Sequence, residues 1–195
     1  AHLLPKAKEQ TLTRMMVEKP HLWDTENPYL YIVRTEVYQE ENLVDVYTTR
    51  TGIRHIEFHA DNGFLLNGKA VKMKGFNMHQ DHAGVGAGIP DALQYFRLRE
   101  LKKMGANAYR SSHNPMTLEM LDACDELGIL VIEENRLTGI NEEHMRLFQR
   151  MIERDRNHPS VVLWSAGNEE WGIEWKDQGT WIAASMREYC HRFDP

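Results

Sequence analysis

The sequence predicts an α/β chain of two textures: antiparallel β strands first, then four βα units forming a parallel sheet. Three observations carry that reading. Short segments rich in Val, Ile, Tyr and Thr, separated by turn residues, fill Glu9 to Phe58. From about Val71 onward, short apolar runs alternate with segments of helical periodicity. The last run, Val161-Val162-Leu163-Trp164, lies between His158-Pro159 and Ser165-Ala166-Gly167, the pattern of a strand buried on both faces in a parallel sheet.

In chain order, strands are expected at Gln10–Val17, Tyr29–Tyr38, Leu43–Thr49 and Ile53–Phe58. Lys19-Pro20, Asn27-Pro28, Glu40-Glu41-Asn42 and Gly52 supply the turns between them. These strands suit a small antiparallel sandwich or the last part of one, and about four are too few to close it. The chain is therefore expected to begin inside a domain. Gly63-Phe64-Leu65-Leu66, the turn Asn67-Gly68 and Val71–Phe76 read as a hairpin, the last segment being the first parallel strand. Pro90-Asp91 opens a helix with Leu93, Phe96, Leu101 and Met104 inward, closed by Gly105. Ala106–Arg110 is the second strand. Asn114 and Pro115 suit the N-cap and first turn of a helix carrying Leu118, Leu121 and Cys124, ended by Gly128. Ile129–Ile132 is the third strand. Asn141 caps a helix in which Met145, Phe148 and Ile152 share a face. Val161–Trp164 is the fourth strand and Asp177–Phe193 the fourth helix.

A (β/α)8 barrel takes eight such units and roughly 250 residues, so four make half of one. A four-stranded doubly wound sheet is the alternative, although no dinucleotide-type glycine fingerprint occurs. Gly84-Val85-Gly86-Ala87-Gly88 reads as a flexible loop, because a proline and a helix follow it and a P-loop lysine is missing.

Composition narrows the partners. The 195 residues suffice for one large domain or two small ones, and 42% hydrophobic with 27% charged residues is ordinary for a globular protein. A formal charge of -6 without a basic run argues against nucleic acid, whose phosphates need clustered Lys and Arg. No apolar run approaches membrane-spanning length, and AHLLPKAKEQ at the start lacks a signal-peptide core, so no membrane partner is expected. Cys124 and Cys190 read as small buried residues rather than a disulfide or an active thiol.

The polar residues collect after strands. His79, Gln80, Asp81 and His82 follow the first parallel strand; Arg110, Ser112, His113 and Asn114 the second. Glu133, Glu134, Asn135 and Arg136 follow the third; Asn168, Glu169 and Glu170 the fourth. A parallel sheet brings all four groups to its C-terminal rim, where α/β folds place their chemistry. His79, Asp81 and His82 carry donors suited to Zn or Mn, but their spacing matches no strong ligand signature. Trp171 and Trp175 either pack over the top of the sheet or offer stacking faces to a sugar.

Several long motifs resemble glycoside hydrolase family 2, specifically its β-galactosidases. They are Leu22-Trp23 with Glu26–Tyr31, TRTGIRHIEF at Thr49–Phe58, GFLLNGKAVKMKGFNMHQDH at Gly63–His82, GANAYRSSHNP at Gly105–Pro115 and RDRNHPSVVLWSAGNE at Arg154–Glu169. β-Glucuronidases look similar across the same words, while HQDHAGVG at His79–Gly86 looks more like the galactosidase group. The resemblance implies the end of an immunoglobulin-like β-sandwich over residues 1–58 and the first half of a TIM barrel over 59–195. It implies a retaining hydrolase acting on terminal β-D-galactose, with Glu169 as general acid/base and Asn168 on the sugar 2-hydroxyl. His79 and His113 would line the pocket, and Asp81 and Trp171 would contribute to substrate binding. No cofactor is implied, and the complete parent is expected to be a homo-oligomer. Where some family galactosidases have a Glu-x-His that helps hold Mg²⁺, this chain reads Glu133-Glu134-Asn135-Arg136-Leu137-Thr138-Gly139, so no metal is carried over. The nucleophile belongs to a later strand, beyond Pro195, so the chain is expected to be an inactive fragment. In another class, the rim with Trp171 and Trp175 would serve a non-catalytic carbohydrate-binding module.

Overall fold

The computed structural model of the chain describes residues 11–194. An antiparallel ribbon comes first, β1 (Tyr31–Gln39) paired with β2 (Asn42–Thr51). A three-stranded antiparallel sheet follows, formed by β3 (Ile56–His59), β4 (Gly63–Leu66) and β5 (Lys69–Ala70). Asn67 and Gly68 both take positive φ between β4 and β5, the conformation a two-residue hairpin turn needs. The chain then alternates: β6 (Gly75–His79), α1 (Asp91–Lys103), β7 (Ala108–Ser112), α2 (Leu118–Leu127), β8 (Leu130–Glu134), α3 (Glu142–Asp155) and β9 (Val161–Ser165). A short α4 (Trp171–Glu174) precedes α5 (Asp177–Phe193).

The four strands β6, β7, β8 and β9 pair in chain order and all in parallel. A doubly wound sheet reverses its strand order at a switch point, whereas consecutive neighbours throughout are the order of a barrel wall. The doubly wound alternative therefore falls, and the sheet is the expected half of a (β/α)8 wall.

Strand periodicity decides what each face carries. On the helix side, Tyr109, Val131 and Val161 pack with Leu98, Met120, Leu121 and Cys124 in one core. Facing the interior, Ala108, Leu130 and Val162 pack with Trp23, Phe64 and Leu66, which close the N-terminal end of the strands. Above them the register aligns Asn77 with Arg110 and Arg110 with Ile132, then His79 with Ser112. Between β8 and β9 the register shifts, so Val131 opposes Val161 but Ile132 opposes Leu163. That β-bulge adds one residue on β9 and reverses its alternation. As a result Ser165, opposite Glu134, faces the interior with it.

Several expected boundaries move. Residues 11–17 form no strand; strands exist by pairing, and none of the described strands pairs with this segment, while Gln10 lies outside the described residues. The first parallel strand starts at Gly75 instead of near Val71, because Val71 donates to Phe64 O (2.9 Å) within the hairpin and packs with Met73 against the lower core. In α1 the buried residues are Gln94 and Leu98, while Phe96 and Met104 are exposed; the strand-facing stripe lies beside the one that apolar identity picked out. Thr117, not Asn114, caps α2, its Oγ1 accepting the Met120 N–H at 3.3 Å. Asn114 and Pro115 instead offer their carbonyls to Gln80 Nε2. Asn141 does cap α3, accepting the His144 N–H at 2.9 Å, and Gly128 ends α2 in the left-handed conformation.

Candidate active site

Glu134 is the hub of the C-terminal rim. It ends β8 facing the interior and is fully buried. A carboxylate withdrawn from water needs a cation and several donors, and Glu134 has both. Its Oε2 accepts from Arg110 Nε at 2.9 Å and Ser165 Oγ at 2.8 Å, with Arg110 Nη2 at 2.6 Å. Its Oε1 pairs with His113 Nδ1 at 2.8 Å. Its backbone N–H donates to Ser111 Oγ at 2.8 Å. Arg110 reaches further, donating from Nη2 to Asn168 Oδ1 at 2.8 Å. The His113 ring meets His79 edge-on, with centroids 5.0 Å apart. Side chains from all four parallel strands or their following loops thus meet in one network.

Glu133, on the opposite face of β8, points away from this network. It too is fully buried, and its Oε1 accepts the Met116 N–H at 2.7 Å. Burial pushes its carboxyl up to about 8, the Met116 N–H opposes that rise, and Asp155 adds to it. Met116 belongs to the same loop as His113, so Glu133 anchors that loop from below.

The residues expected at the site divide into two groups. Asn168, His113 and His79 come together through Glu134 and Arg110. Glu169 follows Asn168 on the exposed lip, with φ of 33°, a left-handed value uncommon for a residue other than glycine. Trp171 and Trp175 are 78% and 83% exposed, so neither packs over the sheet top. Asp81 and His82 lie on the loop after β6, where His82 N–H bonds to Gly86 O at 3.0 Å, and Asp81 stays exposed. A cleft of about 870 Å³ lined by Phe58, Phe64, Val71 and Met73 lies away from the rim and holds none of this chemistry.

Among the described residues, Asp122, Asp125 and His158 are grouped closely enough to share a metal ion, at the opposite end of the strands. Their donors are already in use. Asp125 accepts from Ser160 N–H and pairs with His158 at 2.6 Å, and Asp122 pairs with Arg50 at 3.2 Å. The grouping reads as an internal tie.

The network thus includes Arg110, Glu134 and Ser165 beside the residues expected at the site. The available signal was two adjacent glutamates closing an apolar strand, since alternation must bury one on each face.

A half barrel wall with a charged network at its C-terminal rim is the layout of a (β/α)8 enzyme. The model of the glycosyl hydrolases family 2 TIM barrel domain matches residues 59–147 and 140–195, and that of glycosyl hydrolases family 2 matches residues 2–54. The chain belongs to glycosyl hydrolase family 2. It is 42% identical to a beta-galactosidase, BoGH2A, of Bacteroides ovatus, over 83% of this chain and 21% of that protein. It is 36% identical to a beta-glucuronidase of Streptococcus agalactiae, over 80% of this chain and 30% of that one. The crystal structure of a family 2 member from Bacteroides cellulosilyticus superimposes with a TM-score of 0.83 at 38% identity, covering 90% of this chain and 25% of that one. The chain therefore spans between a fifth and a third of the lengths of these proteins.

Proposed function

We propose that the protein containing this chain hydrolyses terminal β-D-galactosides with retention of configuration. Glu169 acts as general acid/base, and the nucleophilic carboxylate comes from a later strand of the complete barrel. Residues 1–58 close an immunoglobulin-like domain and 59–195 begin the barrel; β3 (Ile56–His59) straddles that division. The observation that carries the reading is the position of Glu169, one residue beyond an Asn168 that Arg110 holds at the rim.

The chemistry follows from the leaving group. A sugar alkoxide leaves poorly, so an acid must meet the glycosidic oxygen as the bond breaks. The same carboxylate then activates water against the glycosyl-enzyme. Asn168 contacts the sugar 2-hydroxyl, where a hydrogen bond strengthens in the oxocarbenium-like transition state. His113 and His79 line the pocket, and Trp171 offers its exposed ring to the sugar or its aglycone. Asp81 reaches substrate through the loop after β6.

In the full-length protein, Glu169→Ala is expected to slow hydrolysis of an alkyl galactoside by roughly 10²–10⁴-fold. A dinitrophenyl galactoside should still form its glycosyl-enzyme, and azide should release it as the β-galactosyl azide. Rescue of Glu170→Ala in place of Glu169→Ala would move the role to the neighbour. A second reading, hydrolysis of β-glucuronides, is supported by the identity to the Streptococcus agalactiae beta-glucuronidase. Paired assays on aryl galactoside and aryl glucuronide separate the two.

A further inference from the structure

We propose that Glu134 is a positioning residue that sets the hydrogen-bond polarity of the site, making His113 an Nδ1–H imidazole and turning the Asn168 amide so that its Nδ2 faces substrate. The placement of these groups at a glycoside site rests on the function proposed above; the polarity itself follows from the network alone.

Donor and acceptor inventories force the assignment. Arginine has donors only, so the Asn168 atom 2.8 Å from Arg110 Nη2 must be the carbonyl oxygen Oδ1. The free end of that amide is then Nδ2, which gives hydrogen bonds and takes none. The same logic applies at His113. The Glu134 Oε2 side is crowded by donors, Arg110 Nε and Nη2 and Ser165 Oγ. That positive crowd holds the carboxylate in place within a fully buried pocket. Its other oxygen, Oε1, faces His113 Nδ1 at 2.8 Å and can only accept, so the proton sits on Nδ1. In neutral His113 the free Nε2 is consequently an acceptor. The site therefore presents one fixed donor, from Asn168, and one fixed acceptor, from His113, to hydroxyl groups that can play either part.

Glu134→Gln tests this with almost no change of shape. Three donors still converge on one side, so the amide oxygen must stay there and the new NH₂ must face His113. An NH₂ donates, and His113 Nδ1 has to become the acceptor. The tautomer inverts, and Nε2 turns from acceptor to donor.

The measurement is long-range ¹⁵N–¹H NMR on the intact protein labelled at histidine, at a pH where His113 is neutral, with its signals assigned from the spectrum of His113→Gln. Nδ1–H is expected in the wild type and Nε2–H in Glu134→Gln. An Nε2–H His113 in the wild type overturns the proposal without reference to any variant. An unchanged tautomer in a folded Glu134→Gln protein does the same. In the kinetic arm, Glu134→Gln should lower kcat/KM for a dinitrophenyl galactoside roughly 10–100-fold, as losing an orienting partner does. Azide should restore nothing, because Glu134 transfers no proton to the leaving group or from water. Azide rescue of Glu134→Gln would make it a proton-transfer group and overturn the positioning role. Failure of rescue in Glu169→Ala, beside the expected tautomer inversion in Glu134→Gln, would remove the acid/base assignment and leave the polarity standing.

Discussion

Two adjacent glutamates show how far one residue's surroundings decide its chemistry. Glu133 and Glu134 are equally buried and differ in what they meet. Glu134 has a guanidinium, a hydroxyl and an imidazole, so its buried charge is compensated. Glu133 has one backbone N–H on Oε1, and its buried Oε2 has no partner. Burial accordingly raises the Glu133 carboxyl to about 8, against an ordinary value of 4.5. Between those values the unfolded chain is ionised at this position while the folded chain keeps its proton. Folding stability from this group is thus complete below the ordinary value and is lost as pH rises through about 8. The slope is at most about 1.4 kcal/mol per pH unit. Denaturant midpoints should fall across that window in the wild type and fall less in Glu133→Gln. Parallel curves for the two proteins would mean that Glu133 is already ionised in the fold.

At the scale of elements, caps and register matter more than propensity. Gly128 closes α2 at φ 67°, and a Cβ there would meet Thr25 O at 2.5 Å. The position therefore requires glycine twice over, once for the left-handed turn and once for the close approach of the N-terminal segment. Gly128→Ala is expected to cost at least about 2 kcal/mol, from the left-handed conformation and the forced displacement together. Urea denaturation measures it; a loss under about 0.5 kcal/mol would show that the Thr25 segment moves aside freely. The β9 bulge acts on the site itself. Without the extra residue, Ser165 would face the helices and Glu134 would lose a donor.

Across the molecule, the N-terminal part and the half barrel are joined through the lower core. Trp23 is completely buried and donates from Nε1 to Asp125 O at 2.9 Å. Asp125 in turn holds His158 and the Ser160 N–H ahead of β9. Arg54 adds bonds to the carbonyls of Pro159 and Val161, each at 2.5 Å. Trp23→Ala should therefore cost roughly 3–5 kcal/mol, the usual range for a buried aromatic. A cost below about 1 kcal/mol in urea denaturation would mean that Trp23 does not hold the lower core together.

The sequence by itself determined the alternation of four parallel strands with the helices α1, α2, α3 and α5, the change from antiparallel to parallel structure, and the strand ends on which polar residues gather. Local pattern suffices for these, because burial period, turn residues and caps such as Asn141 and Gly128 act within a few positions. Asn168, His113 and His79 were legible as a group for the same reason, each following its own strand. The tertiary structure alone decided that Glu134 joins them, that Glu133 does not, and that Arg110 and Ser165 complete the network. Those outcomes depend on register between strands distant in sequence. A single bulge on β9 reverses which side chains face inward, and the apolar run Val161-Val162-Leu163-Trp164 reads the same with or without it.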